Sequence, residues 1–520
     1  MRIGIDVGGT NTDAVLLDGT TVLAEVKTAT SADVTSGILD ALRALQDQRR
    51  FDPALVQAVM VGTTHFINAI VEAQRLAPTA TVRLGLPATV ALPPLVDWPE
   101  ALSSAINAQT YLCHGGHEFD GRLISPLDHD ELRRVADDLA AKGIRSVAIA
   151  SVFSPVNAGM EQEAAAVLTA QLPDLHISLS HEIGRMGLLE RENATVINAC
   201  LRELAEHVCD ALATTLEQAG FDAPLYLSQN DGTLMDVEYA REYPVATFAS
   251  GPTNSMRGAA FLSGLNTCAV VDVGGTTSDV GIVQGGFPRE ATAEVSVSGV
   301  RTNFRMPDVL SVGIGGGSRV RTRRNGSVTV GPDSVGFRLR EKALVFGGST
   351  LTATDLAVAA GLAGIGDAAA VAHLDPALVR AGLDLIATEV AGVVDRMRTS
   401  ATPIPVVLVG GGSVLLPDKL AGAAQVHRPD HFAVANAIGA AIAQIGGEVD
   451  RIFPVDPGRR DAVLDTAKQE AVDRAVAAGA DPASVQIVDV DEVPIAYLPG
   501  NATRIRVRAV GDLALAGAAR

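Results

Sequence analysis

The 520-residue sequence has few aromatic side chains and no long run of positive charge. Phe, Trp and Tyr make up only 4% of it, and the formal net charge is −19. A surface that binds nucleic acid or an anionic membrane needs clustered Lys and Arg, often with aromatic residues that stack on bases. We therefore expect neither nucleic-acid nor membrane binding, and an anionic ligand has to be held by a few local groups.

Cysteine is equally scarce, and the four residues are Cys113, Cys200, Cys209 and Cys268. None belongs to a CxxC pair, which argues against a structural zinc site and against a disulfide framework. No stretch approaches the ~20 uninterrupted apolar residues of a membrane span, and Asp6 and Asp13 interrupt the N-terminal segment before it resembles a secretory signal. We expect reduced thiols and a cytoplasmic location.

The length and composition predict several domains of α/β type. Hydrophobic residues make up 47% of the sequence, enough for two to four cores of roughly 100 to 200 residues each. Strand-like and helical patterns alternate from Asp128 onward. We predict a first lobe at 1–190 with an α/β insertion, a second lobe at 191–447, and a small α+β tail at 448–520. The small-residue segment 431–447 is predicted to be a helix that packs closely against backbone.

A nine-residue segment occurs twice, as IDVGGTNTD at 5–13 and as VDVGGTTSD at 271–279. The copies are identical at six of the eight positions that begin with Asp6 in the first and Asp272 in the second. Two glycines in such a turn allow positive φ and let backbone N–H groups approach an anion. A carboxylate beside phosphate oxygens would repel them unless a divalent cation lay between. Asp6 and Asp272 therefore predict Mg²⁺, bound directly or through its water.

Two such turns, one from each lobe, can hold a triphosphate from both sides. Glycine turns in the segments IGGGS and LVGGGS follow apolar strand-like runs, where α/β sheets place their ligands. An isolated Asp-x-Gly-Gly-Thr segment is more often an incidental turn, but the second copy and the further glycine turns favour a nucleotide site. The predicted nucleotide contacts are Gly8, Gly9, Thr10, Asn11, Thr12, Gly274, Gly275, Thr276, Thr277, Gly315, Gly316, Gly410, Gly411 and Gly412.

This pattern resembles the superfamily of actin, the heat-shock chaperone ATPases and the sugar kinases, which implies a two-lobed, actin-like α/β ATPase fold with ATP in the cleft. A closer resemblance is to the ATP-handling A-type subunit of the hydantoinase/oxoprolinase family, whose motifs follow in the family's order over about residues 3–445. Among these motifs are GTTHFINAIVE, LLERENATVINACL, SQNDGTLM, SGPTNSMRGAA, LTATDLAVAAG and VLVGGGSVLLPD. The sequence departs from the family at Asn11, where Phe is usual, and at Val61, where the family has His before Gly-Thr-Thr.

The resemblance implies an ATP- and Mg²⁺-dependent hydrolase that phosphorylates the carbonyl oxygen of a cyclic amide, of hydantoin, 5-oxoproline or lactam type, before hydrolysis. Members of this family usually act with a B-type hydrolase, either a second subunit or a fused domain, and no B-type sequence lies within these 520 residues. The hydrolysis step could therefore belong to another polypeptide, or the substrate could be a different one. A homodimer is among the options for the oligomeric state, which stays open. Two other functions compete: a nucleotide-driven conformational switch that moves a partner, and a small-molecule kinase that releases a phosphorylated product.

Three residues are candidates for catalysis: Asp13, Asp279 and His65. Each aspartate ends a phosphate turn, where it could accept a proton from the substrate or orient water, or only cap its own turn. We expect phosphate-site geometry for Asp13 and a metal or base role for Asp279. His65 follows a Gly-Thr-Thr turn and could contact substrate, although a lone histidine is more often a packing residue. His114 and His117 flank a Gly-Gly pair, which disfavours a shared zinc site.

Overall fold

The computed structural model describes residues 1–9, 11–29, 34–291, 295–456, 458–495 and 501–514. Its strands are β1 (Arg2–Val7), β2 (Asn11–Asp18), β3 (Thr21–Ala29), β4 (Ala58–Thr63), β5 (Thr79–Leu86), β6 (Gln109–His114), β7 (Ser146–Ser151), β8 (His176–Leu179), β9 (Leu225–Ser228), β10 (Thr233–Asp236), β11 (Cys268–Val273), β12 (Ser278–Gln284), β13 (Phe287–Pro288), β14 (Val295–Val297), β15 (Val300–Thr302), β16 (Val309–Val312), β17 (Ser318–Thr322), β18 (Val328–Ser334), β19 (Ile404–Val409), β20 (Ala423–His427), β21 (Gln444–Pro454), β22 (Gln486–Pro494) and β23 (Ala502–Gly511).

The helices are α1 (Val34–Gln48), α2 (His65–Glu72), α3 (Glu100–Ala105), α4 (His129–Lys142), α5 (Gly159–Gln171), α6 (Ser180–Ile183), α7 (Leu188–Gln218), α8 (Val237–Glu242), α9 (Ser250–Ser263), α10 (Leu339–Lys342), α11 (Ala353–Ala359), α12 (Pro376–Met397), α13 (Ala435–Ala441) and α14 (Arg460–Ala477). Within the described ranges, none of these helices has both the length and the apolar character needed to cross a bilayer.

The largest sheet carries the first of the two repeated segments. Its nine strands lie in the order β22-β23-β21-β10-β9-β4-β1-β2-β3. β1 and β2 form an antiparallel hairpin, and β4 lies parallel to β1 on the other side. Both β1 and β4 are almost completely buried, as expected for central strands rich in Ile, Val and Met. This sheet and the helices on it form the core of the first lobe.

A second, six-stranded sheet repeats this arrangement. Its main path runs β13-β12-β11-β19-β20, with β16 beside β12. β11 and β12 form the hairpin, and β19 lies parallel to β11. In both hairpins the repeated aspartates face each other in register, Asp6 opposite Asp13 and Asp272 opposite Asp279. The two similar α/β lobes predicted from the repeat are confirmed, and each presents its repeated turn at the end of a buried strand.

A four-stranded parallel sheet, in the order β6-β5-β7-β8, forms an α/β unit inserted within the first lobe. Leu132 and Leu139 of α4 and Leu168 of α5 lie in its hydrophobic core. The long helix α7 connects this unit to the large sheet. Near the start of α7, Glu192 accepts from Arg83 of β5 over 2.6 Å (Nε to Oε2), and both side chains are fully buried. This ion pair fixes the inserted unit to the lobe.

The C-terminal residues form an α+β unit that extends the sheet of the first lobe. β21 pairs with β10, and β23 lies between β21 and β22. α14 packs against β21 and β23. The predicted bounds between the two lobes and the tail, at 191 and 448, fall within α7 and within β21. These bounds stay a prediction.

The helix predicted for 431–447 is confirmed only over its central part, and from position 444 the prediction is wrong. α13 covers only Ala435–Ala441, and the chain continues as β21. A side chain on Gly447 would begin 2.2 Å from Ala471 O of α14, and one on Gly446 would begin 2.9 Å from Thr233 Cγ2. The two glycines therefore allow a strand to lie close to a helix and to its neighbouring strand, and the small-residue pattern does not by itself indicate a helix.

Candidate functional site

The two repeated turns close in the same way. In the first, Gly8 N–H donates to Asn11 O over 3.0 Å, and in the second, Gly274 N–H donates to Thr277 O over 2.9 Å. Gly9 is exposed, and no atom of the described residues beyond its chain neighbours lies within 4 Å of the point where a side chain on it would begin. The first turn therefore has open space over its backbone, as an anion-binding turn requires.

α9 contacts both repeated carboxylates with two neighbouring residues. Asn254 Nδ2 donates to Asp6 Oδ1 over 3.4 Å, and Ser255 Oγ donates to Asp272 Oδ2 over 2.5 Å. From α13, Asn436 Nδ2 donates to Asp6 Oδ2 over 2.9 Å. The structure therefore brings Asp6 of one lobe and Asp272 of the other to a single helix.

α9 and α13 cross at unusually short range because two glycines lie at the crossing. A side chain on Gly258 would begin 1.8 Å from Ala435 O, and one on Gly439 would begin 1.9 Å from Asn254 O. This approach carries the asparagine of each helix to Asp6. The sequence pattern did not single out these asparagines or the serine beside Asn254. The signal that points to them is an amide among small apolar residues, as in VANAIGAA.

Burial and neighbouring negative charges disfavour the ionised form of the repeated carboxylates. Burial is the main cause that raises the pKa of Asp6 to about 6, and the charges of Asp13 and Asp272 raise this pKa further, against the two asparagine hydrogen bonds. The pKa of Asp272 is also raised to about 6, chiefly by burial, with Asp279 adding to the shift. The ionised carboxylates repel one another, so a cation that binds among them is stabilised.

The residues present fit Mg²⁺. Asp6 and Asp272 supply hard oxygen donors, which Mg²⁺ prefers, and this ion usually keeps several of its waters. Asn254 Oδ1 is buried and has no hydrogen-bond partner among the described residues, so it can accept a hydrogen bond from such a water. Both the charge and the donor set therefore suit a hydrated magnesium ion.

A lysine that the sequence pattern did not reveal lies beside Asp13. Lys27 Nζ is 2.5 Å and 2.6 Å from the two carboxylate oxygens. Burial raises the pKa of Asp13, and the charge of Lys27 opposes this shift. The equivalent residue Asp279 accepts instead from Ser311 Oγ over 2.5 Å, and burial raises its pKa as well. The two hairpins therefore share a backbone but differ in charge.

The segment Gly-Thr-Thr-His lies between the first hairpin and the start of α9. Ser250 Oγ accepts from Thr63 N–H over 3.3 Å and donates to Thr63 O over 3.1 Å. A side chain on Gly62 would begin 2.4 Å from Asp6 Oδ1. The ring of His65 contacts Arg75, with 3.0 Å between Nε2 and Nη1. The segment therefore packs against Asp6, and a catalytic role for His65 stays a prediction.

The two later glycine turns lie against the second hairpin in different ways. Gly410 has φ +80°, and a side chain on it would begin 2.2 Å from Asp272 Oδ1. Its neighbour Gly411 is exposed, and within the described ranges no atom lies within 4 Å of the corresponding point. Gly316 N–H, in contrast, donates to Gly274 O over 3.0 Å, so this turn supports the hairpin. Nucleotide contact by either turn stays a prediction.

The other predicted nucleotide contacts lie in or against the repeated turns. Partly or fully exposed are Gly8, Gly9, Asn11, Gly274, Gly275, Thr276 and Thr277. Thr12 is fully buried in β2, and Thr10 lies outside the described residues. A side chain on Gly315 would begin 2.6 Å from Thr276 N, and one on Gly412 would begin 2.9 Å from Gly274 O. These two glycines therefore allow the backbone to pack closely on the second turn.

His114 and His117 face different partners. His117 is buried, and its Nε2 lies 3.2 Å from Asn157 Nδ2. His114 Nδ1 lies 3.2 Å from Glu131 Oε2, and Asp128 completes a group whose ligand atoms are within 4.8 Å of one another. Asp128 also caps the start of α4, so its carboxylate already has a structural role.

The chain matches two models of one family. Residues 2–172 match the hydantoinase/oxoprolinase N-terminal region, and residues 191–391 match the hydantoinase/oxoprolinase model. Caprolactamase subunit alpha from Pseudomonas jessenii is 27% identical over 395 residues, which cover 69% of this chain and 54% of that protein.

Two further comparisons agree with these matches. The acetophenone carboxylase gamma subunit from Aromatoleum aromaticum is 27% identical over 395 residues, 69% of this chain and 53% of that protein. The chain therefore spans about half the length of the curated relatives it matches. The crystal structure of the ATP-dependent caprolactamase from Pseudomonas jessenii aligns over 98% of this chain and 87% of that one, with a TM-score of 0.77 and 18% identity. This likeness shows a common fold.

Proposed function

Because the chain belongs to the hydantoinase/oxoprolinase family, we propose that it uses ATP to phosphorylate the carbonyl oxygen of a small cyclic amide, which is then hydrolysed. One observation carries this proposal: the repeated aspartates Asp6 and Asp272, from two lobes, both accept hydrogen bonds from α9. A triphosphate with a divalent cation suits such paired carboxylates beside open backbone turns. The names of the relatives, a caprolactamase and an acetophenone carboxylase, support a substrate that carries a carbonyl group.

The chemistry explains why ATP is needed. An amide resists attack by water because its nitrogen donates electrons into the carbonyl group. Transfer of the γ-phosphoryl group to the carbonyl oxygen forms a C–O–P linkage, releases ADP and removes this protection. Water then adds to the carbon, the C–N bond breaks as nitrogen takes a proton, and a second water hydrolyses the resulting acyl phosphate. The enzyme contributes positioning and charge neutralisation to the transfer step.

Each part of the site has a proposed role in this step. Asp6 and Asp272 would hold Mg²⁺, which neutralises phosphate charge when it is bound. The backbone N–H groups of the two turns would contact the phosphates. Among the described cationic side chains, none lies within ion-pair distance of Asp279, whose partner is Ser311. Asp279 is therefore a candidate to accept the N–H proton of the substrate.

The hydrolysis steps are proposed to involve a second, B-type subunit. Two of the curated relatives are named as single subunits, alpha of a caprolactamase and gamma of an acetophenone carboxylase. If the second subunit carries the water addition, the chain described here would activate the substrate without releasing the ring-opened product. ADP formation and ring opening can be measured separately, so the division of labour is directly testable.

The test is phosphate or ADP release from Mg²⁺-ATP by the purified chain, alone and with hydantoins, 5-oxoproline, lactams and simple ketones. One cyclic amide is expected to stimulate release. Asp272→Asn should lower the stimulated rate by about a hundredfold or more, because transition-state charge is no longer neutralised. Asp138→Asn, which removes a surface carboxylate paired with Lys142 in the inserted unit, is the matched control. Full activity of Asp272→Asn would refute the proposed magnesium site.

A further inference from the structure

We propose that Lys27 binds the phosphoryl group that ATP transfers, and that it reaches this group by leaving Asp13. The inference rests on the proposed function, because it assigns a ligand within the same site. The Lys27 ammonium contacts both oxygens of Asp13, at 2.5 Å and 2.6 Å. Lys27 extends from β3 of the first lobe, next to the repeated hairpin.

Of the two partners in this ion pair, the lysine is the more accessible one. The side chain of Asp13 is 4% exposed, whereas that of Lys27 is 34% exposed. The lysine side chain is therefore more accessible to a ligand than the buried carboxylate of Asp13. The charge of Lys27 also acts on Asp272 of the second lobe, so the ammonium lies within electrostatic range of both hairpins.

The negative charge of a phosphate, larger than that of a carboxylate, favours transfer of the Lys27 ammonium from Asp13 to the phosphoryl group. Asp6, Asp13, Asp272 and Asp279 surround the site, and Lys27 is the single cationic side chain of the described residues within ion-pair distance of any of them. Coulomb attraction scales with the product of the charges, and a terminal phosphate carries about −1.5 to −2 against −1 for a carboxylate. Because Lys27 is flexible and partly exposed, the phosphoryl group can compete with Asp13 for its ammonium.

The second hairpin confirms that this cation is not part of the turn itself. In β12 the residue equivalent to Asp13 is Asp279, and its neighbour in the adjacent strand β16 is Ser311. That position offers a hydroxyl donor but no positive charge. The repeated turn therefore exists both with and without the lysine, which argues that Lys27 serves the ligand and not the closure of the hairpin.

The test compares the affinities for ADP and for a non-hydrolysable ATP analogue, each with Mg²⁺, by calorimetry. Lys27→Met should weaken binding of the analogue about tenfold or more, the size expected for a charge-assisted hydrogen bond, and change ADP binding by less than about twofold. Lys27→Arg should restore much of the preference for the analogue. Lys142→Met, which removes a lysine that is also ion-paired but lies on the surface of the inserted unit, should change neither affinity.

A double variant controls for instability caused by an unpaired Asp13 carboxylate. Lys27→Met leaves the carboxylate of Asp13 buried and unpaired, so Lys27→Met with Asp13→Asn restores neutrality and should show the same selective loss of analogue binding. Equal weakening of ADP and analogue, or no weakening of either, would overturn the assignment of Lys27 while leaving the proposed function in place. A wild-type chain that binds neither nucleotide would overturn the proposed function itself, and the assignment with it.

Discussion

Replacing Gly439 by alanine is expected to separate α9 from α13 and to disturb the hydrogen bonds to Asp6. The new Cβ would lie 1.9 Å from Asn254 O, whereas an ordinary contact between carbon and oxygen is about 3.3 Å or longer. The helices therefore have to move apart by more than about 1 Å, in an interior as densely packed as an organic crystal. Asn254 and Asn436 lie on the two helices, so the bonds that both donate to Asp6 change together.

The size of the effect follows from two contributions. Overpacking of a core typically costs about 1 to 3 kcal/mol, and weakening hydrogen bonds to a buried charged group costs about 1 to 3 kcal/mol. Gly439→Ala should therefore lower the free energy of unfolding by about 2 to 6 kcal/mol. It should also lower Mg²⁺-ATP turnover, although Gly439 itself contacts no ligand. Urea unfolding followed by circular dichroism measures the first quantity, and phosphate release measures the second.

A glycine with open surroundings provides the matched control. Gly392 is exposed within α12, and no atom in the described part of the chain lies within 4 Å of the point where a side chain on it would begin. Gly392→Ala should raise stability by about 0.5 to 1 kcal/mol, since alanine loses less backbone entropy in a helix. If Gly439→Ala left both the urea midpoint and the turnover at wild-type values, the close crossing of α9 and α13 would not be what holds Asp6 in place.

Two further predictions concern charge. Because the fold raises the pKa of Asp272 from 3.8 to about 6, the stability that Asp272 contributes is present below pH 3.8 and is lost as the pH rises through 6. Without Mg²⁺, the free energy of unfolding of Asp272→Asn relative to wild type should therefore rise by about 1 to 2 kcal/mol between pH 5 and pH 7. A difference between the two urea midpoints that does not change with pH across this range would contradict the shift. Arg83→Met should cost about 3 to 5 kcal/mol because Glu192 stays buried and unpaired, and replacing both residues by Met should recover most of it; a double variant as unstable as the single one would show that packing, and not charge, is lost.

The repeated hairpins could be predicted from the sequence because a turn depends on local residues. The order Asp-Val-Gly-Gly-Thr fixes where the strand ends and where the backbone turns, and both copies do so with equivalent hydrogen bonds from Gly8 and Gly274. Lys27 could not be placed in this way. The register between β2 and β3 shifts at Leu16 and Leu17, so simple counting from the turn would put Val26 opposite Asp13. A bulge changes register by one residue, and sequence patterns do not reveal it.

The contacts of Asn254 and Asn436 with Asp6 could not be predicted from the sequence for a different reason. Asn254 and Asn436 are far apart in the chain, and each lies in a helix whose residues are mostly small or apolar. Their common contact with Asp6 arises only because Gly258 and Gly439 allow the helices to cross at short range. Such a crossing is tertiary structure, and the glycines predict close packing without naming its partner.

The packing of the two helices also shows which contact around the carboxylates is sensitive to lobe movement. α9 packs on the second sheet, where Met256 lies in one cluster with Val270, whereas α13 packs on the first sheet. The bond from Ser255 to Asp272, 2.5 Å long, therefore lies within the second lobe. The bond from the adjacent Asn254 to Asp6 is 3.4 Å long and joins the lobes. A rotation of one lobe against the other would leave the first bond unchanged and alter the second, so we expect the bond from Asn254 to Asp6, and not the bond from Ser255 to Asp272, to depend on how far the lobes close.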